Sequence, residues 1–224
     1  MTEQKSGAAG GTEENREEQR PRFPLPIEKY ISACPLALIT EAQTSGDTVY
    51  KAGEKYILKI SSDPGRLSRE RRVNDFLQGK VPASETVAYC VVNGLCYYLK
   101  TCVQGEPILH EFLSDPVKAA EYLADAMKMY HSIDISGCDL INPDSEGDCF
   151  VHGDFCLPNI LVKDGKVSGF IDTEASGIGD PWMDYAWCIW SYEYNIGTNR
   201  YTPVLLEKLG ITFDREKFDR YLQI

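Results

Sequence analysis

Val151-His152-Gly153-Asp154-Phe155-Cys156-Leu157-Pro158-Asn159-Ile160, followed by Gly169-Phe170-Ile171-Asp172, decides how this chain is read. The stretch reads as strand, short loop, strand and turn, with three metal- or proton-handling side chains at its bends: Asp154, Asn159 and Asp172. Phosphoryl transfer needs such a set. One carboxylate takes or orients the proton of an acceptor hydroxyl, while an Asn and a second Asp hold Mg²⁺ against nucleotide phosphates. The oxygen donors of Asn159 and Asp172 suit a hard cation. The alternative is a polar turn before an ordinary hairpin, and the spacing of all three residues weighs against it.

Upstream, three short strands are expected over Leu36–Thr40, Asp47–Ala52 and Lys55–Ile60, separated by turns at Thr44-Ser45-Gly46-Asp47 and Ala52-Gly53-Glu54. Lys59 stands between Leu58 and Ile60, where strand alternation lets one side chain face a cleft. An amphipathic helix is expected over about Arg66 to Gln78, with Leu67, Val73, Phe76 and Leu77 as its apolar stripe and Glu70 near its middle. A strand lysine held by a helix glutamate fixes the lysine on the α- and β-phosphates of a nucleotide. Taken singly, Lys59 and Glu70 read as solvated charges. In this order before the loop, the paired reading is favoured. Asn93-Gly94 joins two further strands, Thr86–Val92 and Leu95–Thr101. A helix over Pro116 to Ile133 is capped by Asp115, and another starting at Gly179-Asp180-Pro181 carries so many aromatics that it is expected to be buried nearly all round.

At 224 residues the chain can bury a substantial core in one domain or two small lobes. A net charge of −11 disfavours nucleic acid and anionic membrane as principal partners, since both call for a basic face. The same charge would attract a polycationic substrate. Residues 1–22 are polar and Gly-rich and are expected to be disordered, with no apolar core of the kind a signal peptide requires. None of the eight cysteines forms a Cys-x-x-Cys pair, so reduced thiols in a cytoplasmic protein are expected.

The pattern His152-Gly153-Asp154 to Asn159, then Ile171-Asp172, resembles the aminoglycoside phosphotransferase family, which shares its fold with protein kinases. The runs HGDFCLPNI and VKDGKVSGFID are most similar to the aminoglycoside 3′-phosphotransferase branch. The resemblance extends over about residues 36 to 222. It implies an α+β, two-lobed protein-kinase-like fold, with a nucleotide-binding lobe over 23–103 built on a small antiparallel sheet and a mainly helical catalytic lobe over 104–224. It further implies ATP (with GTP possible) and Mg²⁺ as cofactors, and a small-molecule hydroxyl acceptor such as an aminoglycoside. Asp154 would be catalytic and Asn159 and Asp172 would bind metal. Lys59, placed by Glu70, would face the phosphates. Ser45 would serve a phosphate-covering loop, and Thr101 and Val103 a hinge whose backbone bonds adenine. Ile57 stands where some relatives stack an aromatic on the base. Asp184 would bond the backbone of the catalytic loop. His152 is read as structural, Cys156 as a filler, and Glu174 as facing either a second metal or solvent.

The pattern also departs from the family. Relatives that phosphorylate aminoglycosides carry a long acidic helical insert before the catalytic loop, whereas only Gly137 to Phe150 bridge the gap here. The acidic, aromatic C-terminal segment of the family is not matched at Arg220 to Ile224, and only Glu193 and Glu207 are acids between Trp190 and Asp214. The nucleotide half of the site is therefore expected intact and the acceptor half stripped. Another small hydroxyl compound, such as an amino alcohol or a sugar, or a binding role with little turnover, are the alternatives.

Overall fold

The computed structural model describes residues 20–40 and 46–223. Ser45 and most of the expected tail lie outside the described residues. Within that tail stretch Arg20 is described, donating to Glu28 and to the carbonyl of Ile31.

Five antiparallel strands form the N-terminal sheet in the order β1-β2-β3-β5-β4. They are β1 Leu36–Leu38, β2 Thr48–Ala52, β3 Tyr56–Ser61, β4 Thr86–Val92 and β5 Leu95–Thr101. The β4–β5 turn has φ of 52° at Asn93 and 78° at Gly94, the doubly left-handed geometry that matches strand twist. Because β3 is central, its alternate side chains serve two faces. Leu58 points into a cluster with Ile27, Ile31, Ala52 and Leu99, while Lys59 points to the opposite face. The first face is closed by α1 (Leu25–Ile31), a short helix that the sequence reading did not foresee.

Helix α2 (Pro64–Leu77) packs on the second face. Asp63 caps it by accepting from the amides of Gly65 and Arg66, and Pro64 occupies the first turn, so the helix begins two residues earlier than its apolar stripe suggested. Its buried side includes Glu70 and Asn74 beside Leu67, Val73 and Leu77. Two polar groups on a buried helix face require partners.

The remainder is mainly helical. Helix α3 (Pro116–His131) is capped by Asp115 and ends two residues before the expected boundary. The expected hairpin forms as β8 (Ile160–Lys163) and β9 (Lys166–Phe170), with the short strand β6 (Glu106–Pro107) added beside β8. Strand β7 (Cys149–Val151) pairs with β10 (Gly177–Gly179), and α4 (Trp182–Ile196), α5 (Thr202–Leu209) and α6 (Arg215–Leu222) follow. The rings of Tyr130, Phe150, Phe155 and Phe170 are fully buried at the centre of this part, Tyr130 lying 4.8 Å from Phe170 and 5.8 Å from Phe150. Burying each contributes roughly 1.5–3 kcal/mol relative to exposure. All eight cysteines are free. Among the described residues no helix is long and apolar enough to cross a membrane.

One expectation is corrected. Helix α4 is not buried all round: Trp190 is 37 % exposed and Tyr194 72 %, although Cys188, Ile189 and Tyr192 are core. Hydrophobic count did not separate core positions from an aromatic outer face.

The short link ahead of the catalytic loop is closely packed. Asn142 donates its side-chain amide to the carbonyl of Ala175 (2.8 Å) and its backbone amide to Ile178 (3.0 Å), and Ser145 donates to Asn142 Oδ1. Gly153 turns beneath it at φ +83°, where an added Cβ would lie 2.8 Å from Ala175 Cβ, Ala175 O and Asn142 Nδ2. Left-handed backbone with that crowding admits only glycine. Gly153→Ala should therefore destabilise the fold by about 1–3 kcal/mol, read as a lower urea midpoint; an unchanged midpoint would show that the link yields freely.

Candidate active site

The catalytic segment hangs on one buried carboxylate. Asp184, near the start of α4 and fully buried, accepts from the backbone amides of His152 and Gly153 at 2.8 Å each and contacts His131 Nε2 at 2.9 Å. A buried charge with three such partners is satisfied, and the loop is aimed by it. Nε2 of His152 donates to the carbonyl of Ile171 at 3.0 Å, so this ring fastens the loop to the segment after β9.

Asp154 and Asn159 are joined directly, and Asp172 is reached through the neighbouring backbone. Asn159 Nδ2 donates to Asp154 Oδ2 (2.9 Å) and Asp154 O (3.0 Å), which orients the Asp154 carboxylate. The amide of Ile171 bonds the carbonyl of Asn159 at 3.0 Å, setting Asp172 beside it. Asp172 has φ +54°, a left-handed conformation uncommon for a residue with a side chain. The Cys156 thiol neighbours Asp154. Burial first, and then the Asp154 charge, push its pKa well above the ordinary thiol range, which keeps it protonated and unsuited to nucleophilic attack.

Lys59 joins the two halves of the site. Its Nζ lies 3.0 and 3.1 Å from the Glu70 carboxylate oxygens and 2.8 Å from Asp172 Oδ1. Burial opposes its charge, but Glu70 and Asp172 outweigh burial and raise the Lys59 pKa. For Glu70, itself 1 % exposed, burial is likewise overcome, by Lys100 and Lys59, and its pKa is lowered. Asp172 is held down to about 2: burial works against this, while Lys59 and then Lys100 favour the carboxylate. With 48 % of its side chain facing the open cleft, Asp172 feels that pull through solvent.

Lys100 was missed by sequence reasoning. Its Nζ contacts Glu70 Oε1 at 2.5 Å from strand β5. Strand alternation carried a usable signal, because the register sets Lys59 opposite Tyr98 and Ile57 opposite Lys100, all on the α2 face.

These residues border a cavity of about 220 Å³ between the sheet and the β8–β9 hairpin. Ile39, Val49, Ile57, Val103, Leu161 and Ile171 provide apolar walls, and Lys59, Lys100 and Asp172 a charged end. Val103 lines it as expected. The Thr101 hydroxyl instead accepts from the amide of Glu85, whose carbonyl takes the Thr101 amide, so the Thr101 side chain points away and only its carbonyl is left for a ligand. Asp47, just ahead of β2, is paired with Arg66. Glu70, Asp172 and Glu174 each place an oxygen within 4.8 Å of the others. Glu70 is taken up by the two lysines, which leaves the Asp172 and Glu174 oxygens, a donor type that suits a hard cation.

Ser191 of α4 accepts from the amide of Leu157, setting α4 against the catalytic loop. Next to Ser191 runs an aromatic strip. Trp187 meets Trp190 edge-on at 5.6 Å, and Trp190 stacks on Tyr194 at 5.2 Å and 15°. Glu193 is taken up by Thr202, whose hydroxyl donates to it at 2.6 Å. A larger cavity of about 700 Å³ lies against the link, with Asp144, Glu146, Asp180 and Arg220 among its lining, but it contains none of the catalytic set.

A model of the phosphotransferase enzyme family matches residues 41–148 and 141–221 of the chain. The aminoglycoside 3′-phosphotransferase of Staphylococcus aureus is 30 % identical over 227 residues, covering 78 % of this chain and 86 % of that protein. The enzyme of the same name from Enterococcus faecalis is 30 % identical over 202 residues, covering 70 % and 76 %. The solved aminoglycoside phosphotransferase APH(3″)-Id of Streptomyces rimosus superposes with a TM-score of 0.73 at 20 % identity, over 87 % of this chain and 93 % of its own, a likeness of fold. The Staphylococcus aureus alignment uses about 175 residues of this chain across its 227 positions, so about fifty positions are gaps here. The family match divides at 141–148, within the short link.

The depressed pKa of Asp172 sets a pH dependence. Its folded-state value lies below that of an unfolded aspartate, so its stabilising effect is complete above about pH 4 and disappears as pH falls toward 2. Urea unfolding from pH 7 to 2 should show a steeper acid loss in the wild type than in Asp172→Asn; parallel curves would mean that solvent cancels the Lys59 contact.

Proposed function

The chain belongs to the phosphotransferase enzyme family, and from that premise we propose that it transfers the γ-phosphoryl group of ATP to a hydroxyl of a small molecule, with aminoglycosides as the first acceptor class. The observation that carries this reading is Lys59 bridging Glu70 and Asp172 at the charged end of an apolar cavity, with Asp154 and Asn159 joined beside it. Relatives of the same fold are described in complex with ADP and streptomycin and with ADP and hygromycin B, which supports a nucleotide cleft facing an aminosugar acceptor.

In this reading the base of ATP enters between Ile57, Val49, Leu161 and Ile171, and its phosphates meet Lys59. Asp172 and Asn159, with Glu174 near, would hold Mg²⁺, which when bound offsets phosphate charge. Asp154, fixed by the Asn159 amide, accepts or orients the proton of the acceptor hydroxyl. The acceptor oxygen bonds to the γ-phosphorus as the bond to the β–γ bridging oxygen breaks, and ADP departs with that electron pair. A loose transition state asks little basicity of Asp154 and much of its position.

A second reading, an acceptor that is not a polyamine, is favoured by the α4 strip. A polyammonium ligand calls for several carboxylates, whereas the outer face of α4 offers Trp187, Trp190 and Tyr194 and has Glu193 already bonded. Such rings stack against flat apolar faces, including a sugar ring, and attract a single ammonium.

Asp154→Ala should lower acceptor-stimulated ADP release at least ~100-fold while ATP affinity stays within about twofold; full turnover in that variant sinks the mechanism. Trp190→Ala combined with Tyr194→Ala tests whether the strip holds the acceptor, as the second reading requires. If the strip holds the acceptor, the acceptor KM rises about three- to tenfold, the worth of one aromatic contact, across a panel of kanamycin-type aminoglycosides, amino alcohols and simple glycosides. An unchanged KM assigns recognition elsewhere.

A further inference from the structure

We propose that Lys100 is a second phosphate-directed ammonium of the nucleotide cleft, sharing Glu70 with Lys59, so that polyphosphate affinity depends on two lysines. The inference rests on the nucleotide half of the function proposed above and goes beyond it by adding a binding residue.

Three observations carry it. Lys100 is 4 % exposed, and its side chain borders the cavity beside Lys59 and Asp172. Its Nζ and that of Lys59 contact the same Oε1 of Glu70, at 2.5 and 3.1 Å, so both ammonium groups crowd one carboxylate. Lys59 has a second anionic partner in Asp172, whereas Glu70 is the one carboxylate that Lys100 contacts among the described residues.

Charge balance then gives the role. Without ligand, Lys59 and Lys100 face Glu70 and Asp172, two cations against two anions. The neighbouring acids are engaged: Asp47 pairs with Arg66, and Glu174 approaches the same guanidinium at 3.7 Å. The Tyr98 hydroxyl, bonded to Asn74 and near Thr86, stays neutral. With Asp172 committed to a divalent cation, two ammonium groups would remain against Glu70 alone. A buried surplus cation requires an anion, and the phosphates of an incoming nucleotide provide it at the same place. A single lysine–glutamate pair would have no such surplus.

The test uses the full chain with Mg²⁺ and compares calorimetric affinities for ATP, ADP and adenosine. In Lys100→Met, ATP and ADP should weaken about tenfold while adenosine changes less than twofold, and Lys100→Arg should recover ATP affinity to within about threefold of wild type. Lys100→Gln, which keeps a polar contact to Glu70 without the charge, should match Lys100→Met and serves if the latter does not fold. Equal weakening of ATP and adenosine, no change in either, or recovery of ATP affinity in Lys100→Gln, overturns the proposal, because a lysine that merely packs would not distinguish the ligands by charge and one that only holds Glu70 in place for Lys59 would be replaced by a neutral polar contact. Wild-type protein that binds ATP and shows this pattern, yet releases no ADP with any acceptor, leaves Lys100 in place and removes the transferase reading instead.

Discussion

Everything in the cleft depends on the Glu70 carboxylate being buried between two ammonium groups. The acid comes from α2, one lysine from β3 and the other from β5, so a single charge cluster sets the helix against the sheet. Burying an acid this completely is tolerable only with close cations or several hydrogen-bond donors, and Glu70 has the cations. Through Lys59 the same cluster reaches Asp172, so the position of the residue after β9 is referred back to the N-terminal sheet. Packing alone would not define this geometry; apolar contacts hold α2 near the sheet, and ion pairing sets its angular position.

A second buried acid does the equivalent work below. Asp184 holds the two amides that begin the catalytic loop, while His152 ties that loop to Ile171. The link over 137–150, short as it is, contributes buried hydrogen bonds through Asn142 and Ser145, and it presses on Gly153 and Gly177 where no side chain would fit. A closed hydrogen-bond network therefore stands behind the catalytic loop.

Legibility in the sequence followed the kind of interaction involved. Asp154, Asn159 and Asp172 were readable because hairpin geometry makes spacing equivalent to position. Lys59 and Glu70 were readable as a pair because strand and helix periods point each inward. Lys100 was not singled out, since one lysine in an apolar strand looks like an edge charge until its register against Ile57 is known. The outer aromatic face of α4 was read as core, because tryptophan and tyrosine serve both core and binding surfaces. Helix α1 escaped notice because seven residues with two buried isoleucines give too little periodicity to detect. The β7–β10 pair was equally hidden, as a contact between three-residue strands is created by the loops around it.

Arg69 ties helix α2 to the other half of the site. From α2 it donates to the carbonyls of Glu174 (2.8 Å), Ile141 (2.7 Å) and Ser176 (2.9 Å), while Asn74 of the same helix accepts from Thr173 at 3.0 Å. These bonds rivet α2 to the segment that carries Asp172 and to the link behind it. Moving α2 away from that segment would break four hydrogen bonds together, so the helix and the residues around Asp172 form one mechanical unit.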